Sequence, residues 1–344
     1  MSGDNYGPGA DGGVDWGIEL TPEVPLDEVA RLGVAAESAG FDAAFASSHY
    51  NNRDPWLAVD RIAVATDDIR VGPGVVNPYE SHPVRIASRA ATLDEATGGR
   101  TVLGLGAGDR STLSNLGIEH DRPLRRVLET MRVARRLWAG ERVDHDGTFA
   151  AVDAGLNYGP CDVPVYVGAQ GPQMTEMAAK HADGVLYNAA HPADYEFAAD
   201  RVAAGLDARA DERGSFTFAA FASVSVADEA AAAREAARPP VAFIVAGAPD
   251  AVLGRHGVDR ERAGRIGAAI AAGAFDRAFD AVTPEMVDAF CAAGTPSTVA
   301  DRLATLREYA DAVVVGSPLG PDRERAVELL GGVRDRLSAG EMRA

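Results

Sequence analysis

The stretch IRVGPGVVNPYESHP, residues 69–83, decides the fold. Its first residues predict a short apolar strand, and Gly72, Pro73 and Gly74 break the pattern where a buried parallel strand would emerge from a barrel. Pro83 suits a first helical turn. Ile86, Ala87, Ala90, Ala91 and Leu93 then recur at helical spacing until Gly98 and Gly99 stop the run. Strand, glycine-bearing loop and helix make one βα unit, with its loop on the face where such units carry chemistry.

The same unit recurs on either side. Strands are predicted at 14–20 and 41–46, near 69 and near 101, a step of roughly 30 residues, the size of one βα repeat. The polar stretch 140–162 carries Asp146-Gly147 between two β-prone runs and reads as a hairpin inserted before the fifth strand, resembling a flap. Strands follow at 163–168, 184–187 and 216–226, with helices at 172–181 and 193–213. Roughly 85 residues then precede the last strand, DAVVVGSP, far more than one helix requires. Most of that segment, 227–295, is Ala-rich and predicts extra helices packed over the barrel, and 322–337 closes the chain with a helix. Eight strands alternating with helices define an α/β fold with a parallel sheet, closed as a (β/α)8 TIM barrel in preference to an open doubly wound sheet. The organisation is one barrel domain at 14–344 behind a flexible extension at 1–13, MSGDNYGPGADGG.

Apolar residues make up 47% of the 344, enough for a large core, and the aromatic share of 6% fits small side chains between helices and a parallel sheet. Cys161 and Cys291 form no disulfide framework or zinc ribbon, so a reducing cytoplasm is the default. A net charge of −18 spread along the chain disfavours nucleic acid. No window approaches the roughly 18 apolar residues of a membrane span. Lys180 is the single lysine among 33 basic residues. Many carboxylates with almost no ammonium groups suit a salt-rich, halophilic interior that screens repulsion over a few Å; the plainer reading is an acidic protein from a high-GC coding sequence.

The predicted C-terminal strand ends gather polar and glycine-rich residues on one rim: Glu19; Ser48, His49, Tyr50 and Asn52; Gly74, Val75 and Asn77; Gly106, Gly108 and Asp109; Gly168, Ala169, Gln170 and Gly171; Tyr187 and Asn188; Gly316 and Ser317. Such a mouth exposes backbone amides to a flat polar ligand. Glu19 stands late in an apolar strand, where burial disfavours the charged form and suits it to give up a proton. His49 is placed to orient a ligand or relay protons. In GAQGP, 168–172, a strand ends and a helix opens with Pro172 in its first turn, so free amides and the helix dipole form an anion site. No Lys or Arg lies within that loop, and Arg110 is a candidate cation. GLGAGDR, 104–110, lacks the third glycine of a dinucleotide fingerprint, and there is no P-loop, nucleophile elbow or zinc motif.

GIELTPEVPLDEV (17–29), SSHYNNRDP (47–55), VGPGVVNPYESHP (71–83), ATLDEATGGR (91–100), GLGAGDR, VPVYVGAQGP (163–172) and VVVGSPLGP (313–321) resemble, in order and spacing, the coenzyme F420-dependent methylenetetrahydromethanopterin reductases of the bacterial-luciferase-like superfamily. The resemblance runs from about residue 14 to 337. It implies an oligomeric (β/α)8 barrel, a dimer or tetramer, that holds the deazaflavin at its mouth. It also implies a bulge with a non-proline cis peptide at Gly74-Val75. The implied reaction is hydride transfer from reduced F420 to the methylene group bridging N5 and N10 of a tetrahydropterin, with Glu19 as proton donor. By position, His49, Asn52, Gly74, Val75, Asn77, Gly108, Asp109, Gly168, Ala169, Gln170, Gly171 and Pro172 are assigned to the cofactor. Two positions depart from the family pattern: Ser48 replaces an acid before the histidine, and Gln173 replaces a lysine after GAQGP. The other readings are an FMN-dependent monooxygenase of the superfamily and a non-catalytic flavin-binding protein on the same barrel.

Overall fold

The computed structural model describes residues 13–341, so positions 1–12 of the predicted extension lie outside the described residues. The first half of the chain runs β1 (Trp16–Glu19), α1 (Leu26–Ser38), β2 (Ala43–Ala46), α2 (Pro55–Ala65), β3 (Arg70–Pro73), α3 (Pro83–Thr97), β4 (Leu103–Leu105), α4 (Arg110–Asn115) and α5 (Pro123–Trp138). The hairpin β5 (Val143–Asp146) and β6 (Ala150–Ala154) precedes β7 (Val165–Ala169), α6 (Pro172–His181), β8 (Gly184–Asn188), α7 (Pro192–Asp207) and β9 (Thr217–Val226). Helices α8 (Ala230–Gly247), α9 (Asp250–Arg255), α10 (Arg260–Ala271), α11 (Phe275–Asp280) and α12 (Pro284–Phe290) follow. The chain ends with β10 (Ala292–Gly294), α13 (Pro296–Arg307), β11 (Ala312–Leu319) and α14 (Arg323–Glu341).

Side chains set the helix ends. Asp54 accepts from the amides of Trp56 and Leu57 at the start of α2, and the His82 ring accepts from Val84 at the start of α3. Gly98, at φ 65°, stops α3 in a conformation that carries no penalty without a Cβ.

Eight strands pair in parallel in the order β3-β2-β1-β11-β9-β8-β7-β4. Two single bridges, Val71 with Thr101 and Val76 with Leu105, join β3 to β4 and complete the ring. Between the bridges a Cβ on Gly72 would stand 1.7 Å from the Val102 carbonyl oxygen, so only glycine permits this approach. The Gly74-Val75 peptide that follows is cis, as the resemblance implied. The strand alternation divides the core. Ala43, Phe45, Val102, Tyr166, Leu186, Ala219, Ala312 and Val314 fill the barrel, while Ile18, Ala44, Ala46, Val165, Val167, Val185, Val313 and Val315 pack toward the helices.

The structure adds detail to the sequence expectation. Ala292–Gly294, at the end of the mostly helical insertion, forms β10, parallel to β9; three small residues without a β-branched side chain carry no strand signal. The insertion also has a core of its own, built by Val241, Val245, Leu253, Ile266, Met286 and Phe290. The hairpin read as resembling a flap has its tip strapped to the outer helices. Glu129 on α5 accepts from the Thr148 amide and hydroxyl, both at 2.7 Å, and from Arg125 at 2.6 Å. Burial opposes ionisation of Glu129, but the Thr148, Arg125 and His145 bonds outweigh it and hold the carboxyl down at about 2. On α3, His82 Nε2 lies 3.0 Å from the Ala150 carbonyl, and the Tyr158 hydroxyl donates to the Ser88 carbonyl at 2.9 Å. No helix among the described residues is long and apolar enough to cross a membrane.

Candidate active site

Strand alternation builds the floor of the mouth. Gly17 faces the barrel, its Cβ position blocked by Val314, so Glu19 two residues on faces the same way one layer higher. Its side chain is nearly buried, at 4% exposure. The Thr21 hydroxyl donates to Oε1 at 2.7 Å and the Ser317 amide to Oε2 at 3.0 Å, which fixes both carboxyl oxygens. Gly316 leaves this corner open: a Cβ there would stand 3.2 Å from Phe221 and 3.7 Å from Glu19 Oε2. In β2 the inward register of Ala43 and Phe45 continues to Ser47, whose buried hydroxyl has no hydrogen-bond partner among the described residues.

Val75 is carried into the bowl by the bulge after β3. Its side chain rests where Cβ atoms on Gly106 and Gly168 would lie, 2.5 and 3.0 Å from its methyl groups. Gly74 lies against Phe45, with its amide bonded to the Ala46 carbonyl at 2.8 Å. The floor is therefore Glu19, Ser47, Val75 and Phe221, with Gly106 just past β4 and Gly168 on β7 making room for Val75, and Gly316 on β11 making room for Phe221 and Glu19.

The predicted residues lie at the C-terminal ends of adjoining strands, with unequal freedom to meet a ligand. The His49 side chain is exposed on the loop after β2, while its carbonyl accepts from the half-buried Asn52 at 2.9 Å. Asn77 is buried and spends its side chain on the loop: Oδ1 accepts from Tyr79 and Glu80, and Nδ2 donates to Glu80 at 2.8 Å. Gly108, at φ 72°, packs on Asn77 and Leu113. Asp109 caps the short α4, accepting from Ser111 and from the Thr112 amide at 2.8 Å. Burial raises its carboxyl, but these bonds prevail and hold it below the usual range. Arg110, at the start of α4, is exposed.

Gly168 faces the bowl beside Val75, whereas Ala169 turns outward into the helix layer and offers only its backbone. Gln170, Gly171 and Pro172 are exposed at the rim. Gly171 caps α6 without a side-chain bond, leaving first-turn amides for a ligand. Tyr187 departs from the expectation. It packs outside the wall against Tyr195 and Phe218, one strand position out of register with the bowl, and its hydroxyl donates to the Gln170 carbonyl at 3.4 Å. Burial pushes this phenol up to about 12, so it remains a donor. Thr21, Ser47 and Phe221 were missed; continuing the inward alternation past the strand ends would have found Ser47. No cluster of metal-ligating side chains occurs among the described residues.

The orphaned Ser47 hydroxyl, the glycine-opened floor and the unspent amides at α6 fit a flat polar ring with an anionic tail. The luciferase-like monooxygenase family pattern matches residues 13–312, and the chain belongs to that family of barrels. A 5,10-methylenetetrahydromethanopterin reductase of Archaeoglobus fulgidus is 40% identical over 322 residues, covering 92% of this chain and 97% of the relative. One from Methanolobus tindarius is 41% identical, covering 92% and 98%. The solved structure of the coenzyme F420-dependent tetrahydromethanopterin reductase of Methanopyrus kandleri superposes with a TM-score of 0.86 at 37% identity, covering 92% and 97%. Within the luciferase-like family, the chain thus belongs with the methylenetetrahydromethanopterin reductases.

Proposed function

We propose that this protein is an F420-dependent reductase that converts the N5,N10-methylene group of a tetrahydropterin to the N5-methyl form. The observation that carries this reading is a nearly buried carboxyl, Glu19, in a glycine-opened floor beside the cis Gly74-Val75 bulge, in a chain whose relatives are named for this reaction. When bound, reduced F420 supplies the hydride that reaches the methylene carbon. Glu19 provides the proton at N10 as the bond from the methylene carbon to N10 opens, and solvent returns a proton to the carboxyl. Thr21 can reverse its hydrogen bond as Glu19 gains or loses that proton, because a hydroxyl both donates and accepts.

Val75 and Gly74 would back the ring of the cofactor, with His49, Asn52 and the Ser47 hydroxyl as candidates for its polar groups. Gly168, Gln170, Gly171 and Pro172 would hold its tail, with Ala169 contributing backbone. Gly108 and Asn77 shape the loop beside it, and Asp109 acts by capping α4. The N5-CH2-N10 unit is common to tetrahydromethanopterin and tetrahydrofolate; the names of the relatives favour the former. We further infer a homo-oligomer in a salt-rich cytoplasm, from the −18 charge and the family resemblance.

The test is single-turnover mixing of reduced F420 with each methylene-pterin at high salt. Glu19→Gln is expected to slow F420 oxidation by about 10² or more while F420 still binds, read by fluorescence. Equal rates for variant and wild type would remove Glu19 from the mechanism.

A further inference from the structure

A small cavity of about 10 Å³ borders Glu19 where the loop after β1 meets the loop after β11. Its polar lining is Glu19, Thr21, Ser317 and Arg323, set against Leu20 and Leu32. That volume suits a single water molecule, provided polar groups converge on it. They do here. Arg323 opens α14, and its Nη1 is buried with no hydrogen-bond partner among the described residues. Nη2 of the same guanidinium is spent, donating to Glu23 Oε2 at 2.6 Å. The Glu23 amide bonds the Thr21 carbonyl at 2.8 Å, and Arg53 donates to the Glu23 carbonyl at 2.6 Å. The head of Arg323 is thus pinned to the loop that carries Thr21, with one N–H group left over.

A buried guanidinium N–H without a partner costs free energy until a water or an anion meets it. An anion is disfavoured beside the Glu19 carboxyl, whereas a water can accept from Nη1 and still donate. On the other side of the cavity the Thr21 hydroxyl already donates to Glu19 Oε1, so its oxygen is free to accept.

We propose that this cavity is a water site through which Glu19 recovers its proton, with Arg323 as the positioning residue that holds the water. This rests on the reading of Glu19 as proton donor and adds the route by which solvent reaches it. After Glu19 has protonated N10, Oε1 takes the Thr21 hydroxyl proton, the Thr21 oxygen takes one from the water, and the water takes one from bulk solvent. One proton moves inward, no electrons move, and the guanidinium stays charged throughout.

The first test is a high-resolution crystal structure of the free protein. A water within hydrogen-bond reach of Arg323 Nη1 and the Thr21 hydroxyl is expected, and its loss in Arg323→Met. A dry cavity, or Nη1 bonded to a protein group, would overturn the proposal. The second test mixes the protein with excess reduced F420 and methylenetetrahydromethanopterin and follows F420 oxidation from the first turnover into the steady state. Arg323→Met is expected to keep the first turnover at the wild-type rate, because that turnover draws only on the proton Glu19 brings to it. Later turnovers should slow about tenfold, with a larger solvent deuterium isotope effect than in wild type. Thr21→Val should behave alike, which keeps the test independent of the Glu23 ion pair, and Arg323→Lys should restore most of the lost rate. Steady-state turnover at the wild-type rate in both Arg323→Met and Thr21→Val, or a first turnover slowed as much as the later ones, would overturn the relay. A wild type that does not oxidise reduced F420 would overturn the reading of the site itself, and the relay with it.

Discussion

At the residue scale, glycines and one carboxyl make the site. Glu19 reaches the mouth because Gly17 below it and Gly316 beside it leave space, and its two hydrogen bonds come from chain ends almost 300 residues apart. Gly106 tests whether Val75 is the ring's seat. In Gly106→Ala the new methyl would stand 2.5 Å from a Val75 methyl and push that side chain into the bowl. The expected outcome is F420 affinity weakened about tenfold in a folded protein, read by fluorescence titration and thermal unfolding. Unchanged affinity would show that Val75 does not define the cofactor surface.

At the element scale, the Glu129 carboxyl is one of the fastenings that hold the β5–β6 hairpin as a strap. Glu129 has a folded value of about 2 against an ordinary 4.5, so its contribution is fully present above pH 4.5 and is lost as pH falls through 2. Glu129→Gln should therefore cost about 1–3 kcal/mol at neutral pH, and the gap from wild type should narrow steadily below pH 4.5 in thermal unfolding. A gap of constant size from pH 7 to pH 3 would mean that the carboxylate charge plays no part. The helical insertion follows the same pattern on a larger scale: an apolar core of its own, with Asp194 as a charged fastening to the barrel.

At the scale of the whole molecule, the −18 charge makes ionic strength part of the stability. Raising salt from 0.1 to 1 M shortens the screening length from about 10 Å to about 3 Å, so repulsion among surface carboxylates should fade. The melting midpoint is expected to rise on the order of 5 °C or more over that range, measured in KCl by scanning calorimetry. A midpoint that stays flat or falls would remove the halophilic reading.

The α6 bounds, Pro172–His181, were readable because Gly171 and Pro172 punctuate its start and the strands on either side are short apolar runs. The break after β3 was readable because glycine and proline restrict or free the backbone wherever they stand, whereas the bulge itself was implied only by the family resemblance. Local chemistry of this kind travels with the sequence, so the alternation of strands and helices, and with it the barrel, was determined there. Tyr187 could not be placed, because one position of strand register decides between bowl and outer wall, and only the paired neighbours set that register. The tertiary structure alone decided which loops meet, that Asp109 is spent on a cap, and that Asp194 finds Arg255 across 61 positions, because such contacts depend on how distant segments pack and not on the residues beside them.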